Sequence, residues 1–600
     1  MSTLAIAIFF RFLPSTFAEF GRTAYAAALF VSNFYFYQHS DYFAVSANYQ
    51  PFIHTWSLSV EEQYYLVAPL ALVLFCGFAQ RRKLNRDSVG IILCLGAFIL
   101  SCAAMVLLSY SGTHANAFAF YSPLTRIFQF AAGAFLFFAF NSIISNSIVL
   151  PPQRYLNLIP AAGIGLLGYA IFFLPSGAII PGWHALLPTF GAAMVIFGAV
   201  QAPNSRAVKL LASSPIVFIG LISYGWYLWH WPILTLARMS MLDEPGLGRD
   251  LFAVAISMLL AVLTYLGVER PLRKLRHSPS PFLSSGRIVA AGIVASIAVV
   301  AISITFRSWS LHRYDQPEFS ALRAAKQIPG TRYCDRFQPT SLLKGICLFF
   351  GKEGEQPPKI LVWGDSHAES LARASKDLAL ANGITIALAA RSACIPLLDL
   401  DLQRSNRGTD VSCRAYNRTI FDWIKTHHAN GLHIILYAYW QNYLNAITLV
   451  PRWNMPERSE NKRIFAAALD RTLRKIRALG VKVLLIGPTP AWSFPPPECL
   501  YERKTRGQNA ARCGSPRVLI EQALNPAAGI LRTGAARLSN TLYVDTLGFY
   551  CNDRICLPGT IKDILFRDRH HLSDVGSQHL FKSLNAPLHW LLDDSFIVSQ

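Results

Sequence analysis

The stretch KILVWGDSH at residues 359–367 decides how the second half of the chain folds. Its first five residues are a short apolar strand, and Gly364–His367 leads into a helical stretch that runs to about residue 381. Further strands are predicted at 384–390, 433–440, 481–488 and 542–545, with helices near 414–427 and 464–479. Strands that alternate with helices of this length indicate a parallel α/β sheet, whose ligand site lies at the carboxyl ends of the strands. The GDSH sequence lies at such an end.

Ser366 is a candidate nucleophile because it occupies the turn after the first predicted strand, where a helix begins. The N–H groups and dipole of that helix can stabilise an oxyanion. A nucleophilic serine needs a base, and the base needs an orienting carboxylate; Asp568-x-x-His571 supplies both from one loop. Two alternatives stay open. Asp365 and Ser366 could merely cap the helix that follows, and His570 could be the base in place of His571.

The first half of the chain is a series of long apolar stretches. Over all 600 residues, 53% are hydrophobic and only 15% are charged, and the mean hydropathy is +0.33. Soluble domains have about 25% charged residues, so a single soluble enzyme and a disordered chain are both excluded. Because a membrane span needs about 20 apolar residues, eight full spans are predicted. They cover residues 56–80, 88–110, 122–140, 158–174, 184–202, 214–236, 250–268 and 287–306, and residues 1–13 are part of another.

Basic residues follow alternate predicted spans, so they share one side of the membrane if every span crosses. These residues are Arg81, Arg82, Lys83, Arg86, Arg154, Arg206, Lys209, Arg270, Arg273, Lys274, Arg276 and Arg287. Cytoplasmic loops carry the excess of Lys and Arg, which places the residues after 306 outside the cytoplasm. The net charge of +21 is therefore attributed to topology, and no nucleic-acid partner is predicted. The predicted organisation is a membrane domain at 1–306, a linker at 307–355 and a soluble domain at 356–600.

Cysteine spacing gives an independent indication of the compartment. Cys76, Cys94 and Cys102 lie in apolar spans and are expected to be unpaired. The other eight cysteines follow residue 306 in close couples, which predicts disulfides in an oxidising compartment. The predicted pairs are Cys334–Cys347, Cys394–Cys413, Cys499–Cys513 and Cys551–Cys556. The alternative is a zinc site, but the chain has no Cys-x-x-Cys pair, and no metal is predicted.

Two polar strings lie at the edges of predicted spans: HTWSLSVEEQYY at 54–65 and SYGWYLWHWP at 223–232. Acids and histidines at such positions are costly unless they line a polar cavity. The tryptophans and tyrosines have an alternative role as an interfacial aromatic belt, and Arg126 could snorkel to the outer interface. The candidate cavity residues are His54, Glu61, Glu62, Arg126, Tyr224 and His230.

The soluble half resembles the SGNH hydrolase/acyltransferase superfamily. GDSH at 364–367 is similar to its first sequence block, and Asp568-x-x-His571-Leu572-Ser573 is similar to its last. The resemblance implies that Ser366 is the nucleophile, His571 the general base and Asp568 its orienting acid. The family's Gly-x-Asn-Asp element is replaced by Tyr439-Trp440-Gln441-Asn442, so the expected oxyanion donors are Ser366 with Gln441 or Asn442.

The membrane half resembles the acyltransferase-3 family, in the branch with a fused C-terminal SGNH domain. The strings at 13–37, 54–65, 121–135 and 223–232 match that branch in type and order. The resemblance implies an O-acyltransferase of the bacterial inner membrane, with no bound cofactor and acetyl-CoA as the acyl donor. Its partners would be the lipid bilayer, acyl-CoA and a surface glycan such as lipopolysaccharide, exopolysaccharide or peptidoglycan. The polar cavity residues would then form an acyl-transfer channel.

One departure from the family concerns the start of the chain. The family begins with Arg/Lys-x10-His on a first span, whereas MSTLAIAIFFRFLP is similar to the outer half of a third span. The expectation is an N-terminally truncated sequence that cannot complete acylation alone. Two other functions stay open: a periplasmic carbohydrate esterase or deacetylase, and an inactive membrane component.

Overall fold

The computed structural model describes residues 14–39, 50–111, 113–145, 151–174, 179–240, 247–276, 285–327, 348–350, 357–404, 408–445, 447–451, 460–505 and 507–592. These residues form two compact units. The first, here called the membrane unit, comprises the described residues up to Arg313, and the second, the soluble unit, comprises nearly all those from Tyr314 onward.

The membrane unit is built of helices whose apolar side chains are widely exposed. Leu66 is 80% exposed and Phe172 is 78% exposed, which is the pattern of a surface that faces lipid and not water. The helices are α1 (Pro14–Ala28), α2 (Ser32–Gln38), α3 (Thr55–Arg81), α4 (Arg86–Tyr110), α5 (Thr113–Tyr121), α6 (Ile127–Ser145), α7 (Gln153–Leu156), α8 (Leu158–Phe172), α9 (Leu186–Gln201), α10 (Arg206–Leu211), α11 (Ser214–Ser240), α12 (Leu247–Thr264), α13 (Arg270–Arg276) and α14 (Ser285–Tyr314).

Six helices within the described residues are long and apolar enough to cross a membrane, and they confirm six of the eight predicted spans. They run over Thr55–Arg81, Arg86–Tyr110, Gln153–Phe172, Trp183–Gln201, Leu247–Arg273 and Ala290–Tyr314. The span predicted at 122–140 is instead a shorter apolar helix, Ile127–Ile143, that follows a separate helix, α5. The span predicted at 214–236 is a 27-residue helix, α11. Helix α11 is not among the six because the polar rings of its second half lower its mean hydropathy.

The soluble unit contains the predicted α/β sheet. The strands are β1 (Leu348–Phe350), β2 (Ile360–Gly364), β3 (Ile386–Ala390), β4 (Leu400–Arg404), β5 (Gly408–Asp410), β6 (His433–Tyr437), β7 (Ile447–Pro451), β8 (Val483–Ile486), β9 (Ser515–Pro516), β10 (Thr541–Val544) and β11 (Ile555–Cys556). The main sheet has six strands in the order β1-β3-β2-β6-β8-β10. All its pairs are parallel except β1 with β3, which confirms the predicted α/β class.

Helices cover this sheet and complete its core. They are α15 (Ser320–Lys326), α16 (Ser366–Glu369), α17 (Ala372–Asn382), α18 (Val411–His427), α19 (Asn442–Asn445), α20 (Asn461–Arg477), α21 (Pro496–Thr505), α22 (Arg517–Ala536), α23 (Leu547–Tyr550), α24 (Asp574–Ser583) and α25 (Asn585–Leu592). The strands are buried on both faces, as is usual for a parallel sheet between helix layers. Trp363, Leu436, Leu485 and Phe465 belong to one hydrophobic cluster of fully buried side chains.

The predicted linker at 307–355 is partly helical in its described residues. The last long helix continues to Tyr314 and α15 follows, inside the expected linker. Residue Phe319 stacks on Tyr501, and Lys326 forms an ion pair with Glu498, so this segment packs on the soluble unit. The segment at 493–515 contains α21, and the Cys499–Cys513 disulfide links this helix to the turn that follows it.

Three of the four predicted disulfides are formed. Cys394–Cys413, Cys499–Cys513 and Cys551–Cys556 are bonded. Cys76, Cys94 and Cys102 are unpaired, as expected for the membrane helices. The fourth pair, Cys334–Cys347, lies outside the described residues.

Candidate active site

The turn after β2 positions Ser366 through a network centred on Asp365. Gly364 ends the strand, and a Cβ there would overlap the Tyr437 carbonyl oxygen of the neighbouring strand, so only glycine fits. One oxygen of Asp365 accepts the backbone N–H of His367 at 2.8 Å. The other oxygen accepts the Tyr439 backbone N–H at 3.0 Å and the Tyr443 hydroxyl at 2.8 Å. The helix is therefore capped by Asp365, and the Ser366 hydroxyl is left for another partner.

That partner is His571. The distance from Ser366 Oγ to His571 Nε2 is 2.8 Å, and the distance from His571 Nδ1 to Asp568 Oδ2 is 2.7 Å. Because the Asp568 carboxylate can only accept, Nδ1 carries the proton and Nε2 accepts the serine hydroxyl. The second Asp568 oxygen accepts the backbone N–H groups of His570 and His571 at 3.0 and 2.9 Å. The structure thus brings the three predicted residues together in the predicted order.

The electrostatics of the site favour an ionised Asp568. Burial acts to raise the pKa of Asp568, but the charge and hydrogen bond of His571, with His570 and Arg567, hold it well below its ordinary value. Burial raises the pKa of Asp365 against the opposing effect of its hydrogen bonds. Ser366 and His571 are both almost completely buried, at 0% and 1% exposure, so the proton between them is screened from bulk water.

The second histidine of the loop, His570, has a different partner from His571. Its Nδ1 lies 3.0 Å from Nε2 of His367, and the two rings are nearly coplanar. The Tyr439 ring stacks on both, with centroid distances of 4.6 Å to His367 and 4.4 Å to His570. Burial and then the charge of His571 lower the pKa of His570 to about 3. Burial followed by the charges of His571 and His570 lowers the pKa of His367 well below its ordinary value. Both rings are therefore neutral at pH 7.

These three histidines are the described side chains that come closest to a metal-binding group. One ring nitrogen from each of His367, His570 and His571 lies within 4.8 Å of the others. However, both ring nitrogens of His571 already contact Ser366 and Asp568, and His367 contacts His570. A metal held by all three histidines would displace Ser366 or Asp568 from His571, so the arrangement suits acid–base chemistry.

The two expected side-chain oxyanion donors differ from each other. The side-chain amide of Gln441 is buried and donates to the Thr489 carbonyl at 3.1 Å, so this N–H is already used and does not serve as an oxyanion donor. Asn442 begins α19, and its carboxamide makes no hydrogen bond to another described residue. The Ser366 amide opens α16, where the first N–H groups of a helix lack an intrahelical acceptor. Ser366 and Asn442 remain the candidate donors.

Sequence reasoning missed the roles of His367 and Tyr439. His367 was visible within the quoted GDSH string, but nothing in the sequence indicated that it meets His570. Tyr439 follows β6 at the same sheet edge as Ser366, and that position was the available signal.

In the membrane unit, His54 and His230 lie together. Their ring centroids are 5.6 Å apart. His230 Nδ1 faces the backbone carbonyls of Trp226 and Tyr227 at 3.3 and 2.7 Å, so it carries the proton and Nε2 is left as an acceptor. Both ring nitrogens of buried His54 lack a hydrogen-bond partner among the described residues. The Tyr227 hydroxyl lies 2.6 Å from Ser57 Oγ and also donates to the His54 carbonyl.

The other membrane candidates have varied surroundings. The Arg126 guanidinium lies 5.2 Å from the Trp56 ring centroid and donates to the Phe120 carbonyl at 3.1 Å, so it contacts the neighbouring helices. Glu61 and Glu62 form no ion pair with a described residue. Tyr224 is 51% exposed. Among the described residues, no contact of Glu61, Glu62 or Tyr224 assigns it a role.

Comparison with known proteins agrees with both halves of the chain. The family described as "Acyltransferase domain" matches residues 4–267, and the family described as "SGNH domain (fused to AT3 domains)" matches residues 333–585. The chain is 30% identical over 276 residues to the peptidoglycan O-acetyltransferase OatA of Listeria monocytogenes, covering 44% of this chain and 42% of that protein. It is 28% identical over 307 residues to the O-acetyltransferase OatA of Staphylococcus aureus, covering 50% and 48%.

One solved structure also matches. It is the periplasmic domain of a lipopolysaccharide acetyltransferase of Salmonella ser. Paratyphi A, with 16% identity over 39% of this chain and 85% of that chain. Its TM-score of 0.29 is too low to carry an argument. The chain spans about half the length of the OatA relatives. Taken together, the two family matches show that the chain belongs to the acyltransferase-3 family, in the branch whose membrane domain is fused to an SGNH domain.

Proposed function

We propose that this protein is a membrane O-acetyltransferase that places acetyl groups on hydroxyls of a cell-envelope glycan. The observation that carries the proposal is the hydrogen-bonded series Ser366–His571–Asp568 in a chain that also has an acyltransferase membrane domain. The names of the OatA relatives, one of them a peptidoglycan O-acetyltransferase, support an envelope glycan as the acceptor. Lipopolysaccharide and exopolysaccharide are the other acceptors proposed.

In the first step, Ser366 Oγ attacks the acyl carbonyl carbon while His571 Nε2 takes the serine proton. The resulting imidazolium is stabilised by Asp568, which accepts its Nδ1–H at 2.7 Å. The negative oxygen of the tetrahedral intermediate is held by the Ser366 amide N–H and by a second donor, for which Asn442 is the candidate. The carrier group then leaves with the proton from His571, and an acyl ester remains on Ser366.

In the second step, a sugar hydroxyl attacks that ester. His571 accepts the hydroxyl proton, the glycan leaves as an O-acyl ester, and the proton returns to Ser366 Oγ. No metal or bound cofactor is needed for either step, because a neutral base and an oriented carboxylate are already in contact.

The membrane unit is proposed to deliver the acyl group from cytoplasmic acyl-CoA, with acetyl-CoA as the donor. The distribution of basic residues supports an inner-membrane protein whose soluble unit lies outside the cytoplasm. The cluster of His54, His230 and Tyr227 supports a polar path through the helices, because a buried histidine such as His54, whose ring nitrogens have no partner among the described residues, is costly inside a membrane.

The test is glycan O-acetylation in a bacterial host that lacks its own enzyme. The full chain should restore acetyl esters on the glycan, and the Ser366→Ala variant should not. A host whose existing acetyl esters are removed by the wild-type chain would instead support the esterase.

A further inference from the structure

A cavity of about 450 Å³ opens in the soluble unit, beside the carboxyl ends of the last two strands of the sheet. Pro488 lines it from the end of β8, and Asp545 lines it from the end of β10. Helix α22 supplies the opposite wall through Arg517, Asn525 and Arg532. A volume of this size is within the usual range for small-ligand sites. The proposed chemistry at Ser366 makes no use of it.

The cavity lies on the same edge of the sheet as Ser366. The order β2-β6-β8-β10 separates the two sites by three strand spacings, or about 14 Å at 4.8 Å per spacing. Side-chain bonds link the intervening loops in sequence. Gln441, on the loop held by Asp365, donates to the Thr489 carbonyl, and Thr546 donates to the Pro488 carbonyl at 2.7 Å. The nucleophile and the cavity are therefore two positions along one hydrogen-bonded edge.

The polar groups of the cavity present donors and acceptors together. Arg532 pairs with Asp545 at 2.5 Å, and Arg517 lies 3.8 Å from Glu521. The Asn525 carboxamide is exposed and makes no hydrogen bond to another described residue. Because each arginine has a carboxylate beside it, the site has no excess charge for an anion. Adjacent donors and acceptors suit the hydroxyl groups of an uncharged sugar, since each hydroxyl both donates and accepts.

Two glycines line the cavity. Gly529 lies within α22 and Gly548 within α23, and a Cβ built on either would meet no atom within 4 Å. Glycine is the weakest helix former after proline, so Gly529 in the middle of the 20-residue α22 lowers the stability of the helix. Close packing does not require a glycine there, because a Cβ would meet no atom within 4 Å. Open space at both positions preserves the volume that a ligand would fill.

We propose that this cavity is a second acceptor subsite, which binds an uncharged sugar unit of the glycan about 14 Å from the unit that is acylated at Ser366. The proposal deepens the proposed function and rests on it for the identity of the ligand. Its structural consequence is that a glycan chain lies along the carboxyl edge of the sheet, with one unit at Ser366 and another between α22 and β10.

The test measures binding of labelled N-acetylglucosamine oligomers, from one to six units, to the full chain in detergent with Ser366→Ala to prevent turnover. Longer oligomers should bind at least tenfold more tightly than the monomer. Gly529→Trp fills the cavity from a helix position with open space, and it should remove that gain while leaving monomer binding unchanged. Arg532→Ala should weaken hexamer binding about threefold to tenfold.

Two matched controls should have no effect. Gly529→Ala changes the same position without filling the volume. Arg474→Ala removes an arginine of equal exposure, 61% against 60% for Arg532, whose pair with Asp470 lies on α20. Equal hexamer affinity in the wild type and Gly529→Trp, or no preference for longer oligomers, would overturn the subsite.

Failure of the proposed function has a separate readout. It would appear as the absence of acylation at Ser366 by an activated ester, measured in the chain with Ser366 intact.

Discussion

The soluble and membrane units both contain buried histidines, but the surroundings of those histidines differ. His571 has Ser366 on one ring nitrogen and Asp568 on the other, at 2.8 and 2.7 Å. His54 has no hydrogen-bond partner on either ring nitrogen among the described residues, although it is 8% exposed and lies beside His230. The first site has a nucleophile, a base and an orienting acid, whereas the second has bases without a nucleophile that they contact.

This difference indicates a division of labour. A buried polar group without a partner is costly, so it persists where a ligand or a transferred group satisfies it for part of the cycle. The soluble unit already brings Ser366, His571 and Asp568 into contact. In the membrane unit, the ring nitrogens of His54 contact no polar group among the described residues, and under the proposed function a transferred group would satisfy them. We therefore expect two kinds of inactive variant. Variants of the soluble site should lose both glycan acylation and the reaction with a small ester, whereas variants of the membrane cluster should lose glycan acylation alone.

The largest expected effect tests the soluble site. Ser366→Ala and His571→Ala should each lower both glycan acylation and reaction with a small activated ester by about 10⁴-fold or more, because the residues act as a unit. Initial rates with p-nitrophenyl acetate measure the ester reaction. Ser375→Ala is the matched control: this serine is also buried, its hydroxyl has no partner among the described residues, and its removal should change neither activity. Equal loss in the control would mean that the serine changes act through folding.

The second expected effect concerns the two histidines of the membrane unit. His54→Ala and His230→Asn should lower glycan acylation in cells by about 10²-fold, the usual scale of one acid–base group. The reaction of Ser366 with the activated ester should stay within about twofold of wild type, because the triad is intact in these variants. Parallel assays on the same membrane preparations measure both. Loss of the ester reaction in either variant would contradict the separation of the two sites.

The third effect is a dependence of stability on pH. His367 and His570 are neutral in the folded soluble unit, because burial lowers the pKa of His367 and takes that of His570 to about 3. An unfolded histidine gains a proton near pH 6.5, so the unfolded state binds more protons below that value. Stability should fall by up to about 1.4 kcal/mol per pH unit for each ring as the pH drops from 6.5 toward 4.5. The contribution of Asp568 is lost only below about pH 4, and the raised pKa of Asp365 acts in the opposite direction.

Hydrogen exchange of peptides that cover residues 360–370 and 564–575 measures this dependence in the full chain. Opening should become more frequent at lower pH after correction for intrinsic exchange. His367→Asn and His570→Asn should each reduce the slope. A slope that is the same in both variants and the wild type would show that other groups cause the acid sensitivity.

The smallest effect distinguishes the two neighbouring histidines of the loop. His570→Ala removes a ring that contacts His367 and Tyr439 but not Ser366, so activity should fall less than tenfold. His571→Ala should nearly abolish it. A comparison of kcat with the activated ester for both variants decides the assignment. If His570→Ala is the inactivating change, the base has been assigned to the wrong residue.

The sequence was sufficient to predict the parallel sheet and the group of Ser366, His571 and Asp568 at its edge. The apolar strand followed by the GDSH turn, and the Asp-x-x-His pattern, are both recognisable within a few residues. It also predicted three disulfides between near neighbours. Contacts between distant segments were not predictable. The His367–His570 pair joins residues 203 apart, and the His54–Tyr227 contact joins residues 173 apart. The helix at 496–505 begins with Pro496 and Pro497, which are compatible with the first turn of a helix as well as with a loop, so local sequence alone does not distinguish the two.

The most direct test of the central claim is peptide mass spectrometry of the acylated enzyme. The full chain is incubated with p-nitrophenyl acetate and quenched in acid, and trypsin then releases the peptide Ile360–Arg373, ILVWGDSHAESLAR. We predict one acetyl group on Ser366 and none on Ser370, decay of the adduct when a saccharide acceptor is added, and no adduct in His571→Ala. Continued glycan acetylation by a chain whose Ser366 never carries the acyl group would contradict the account.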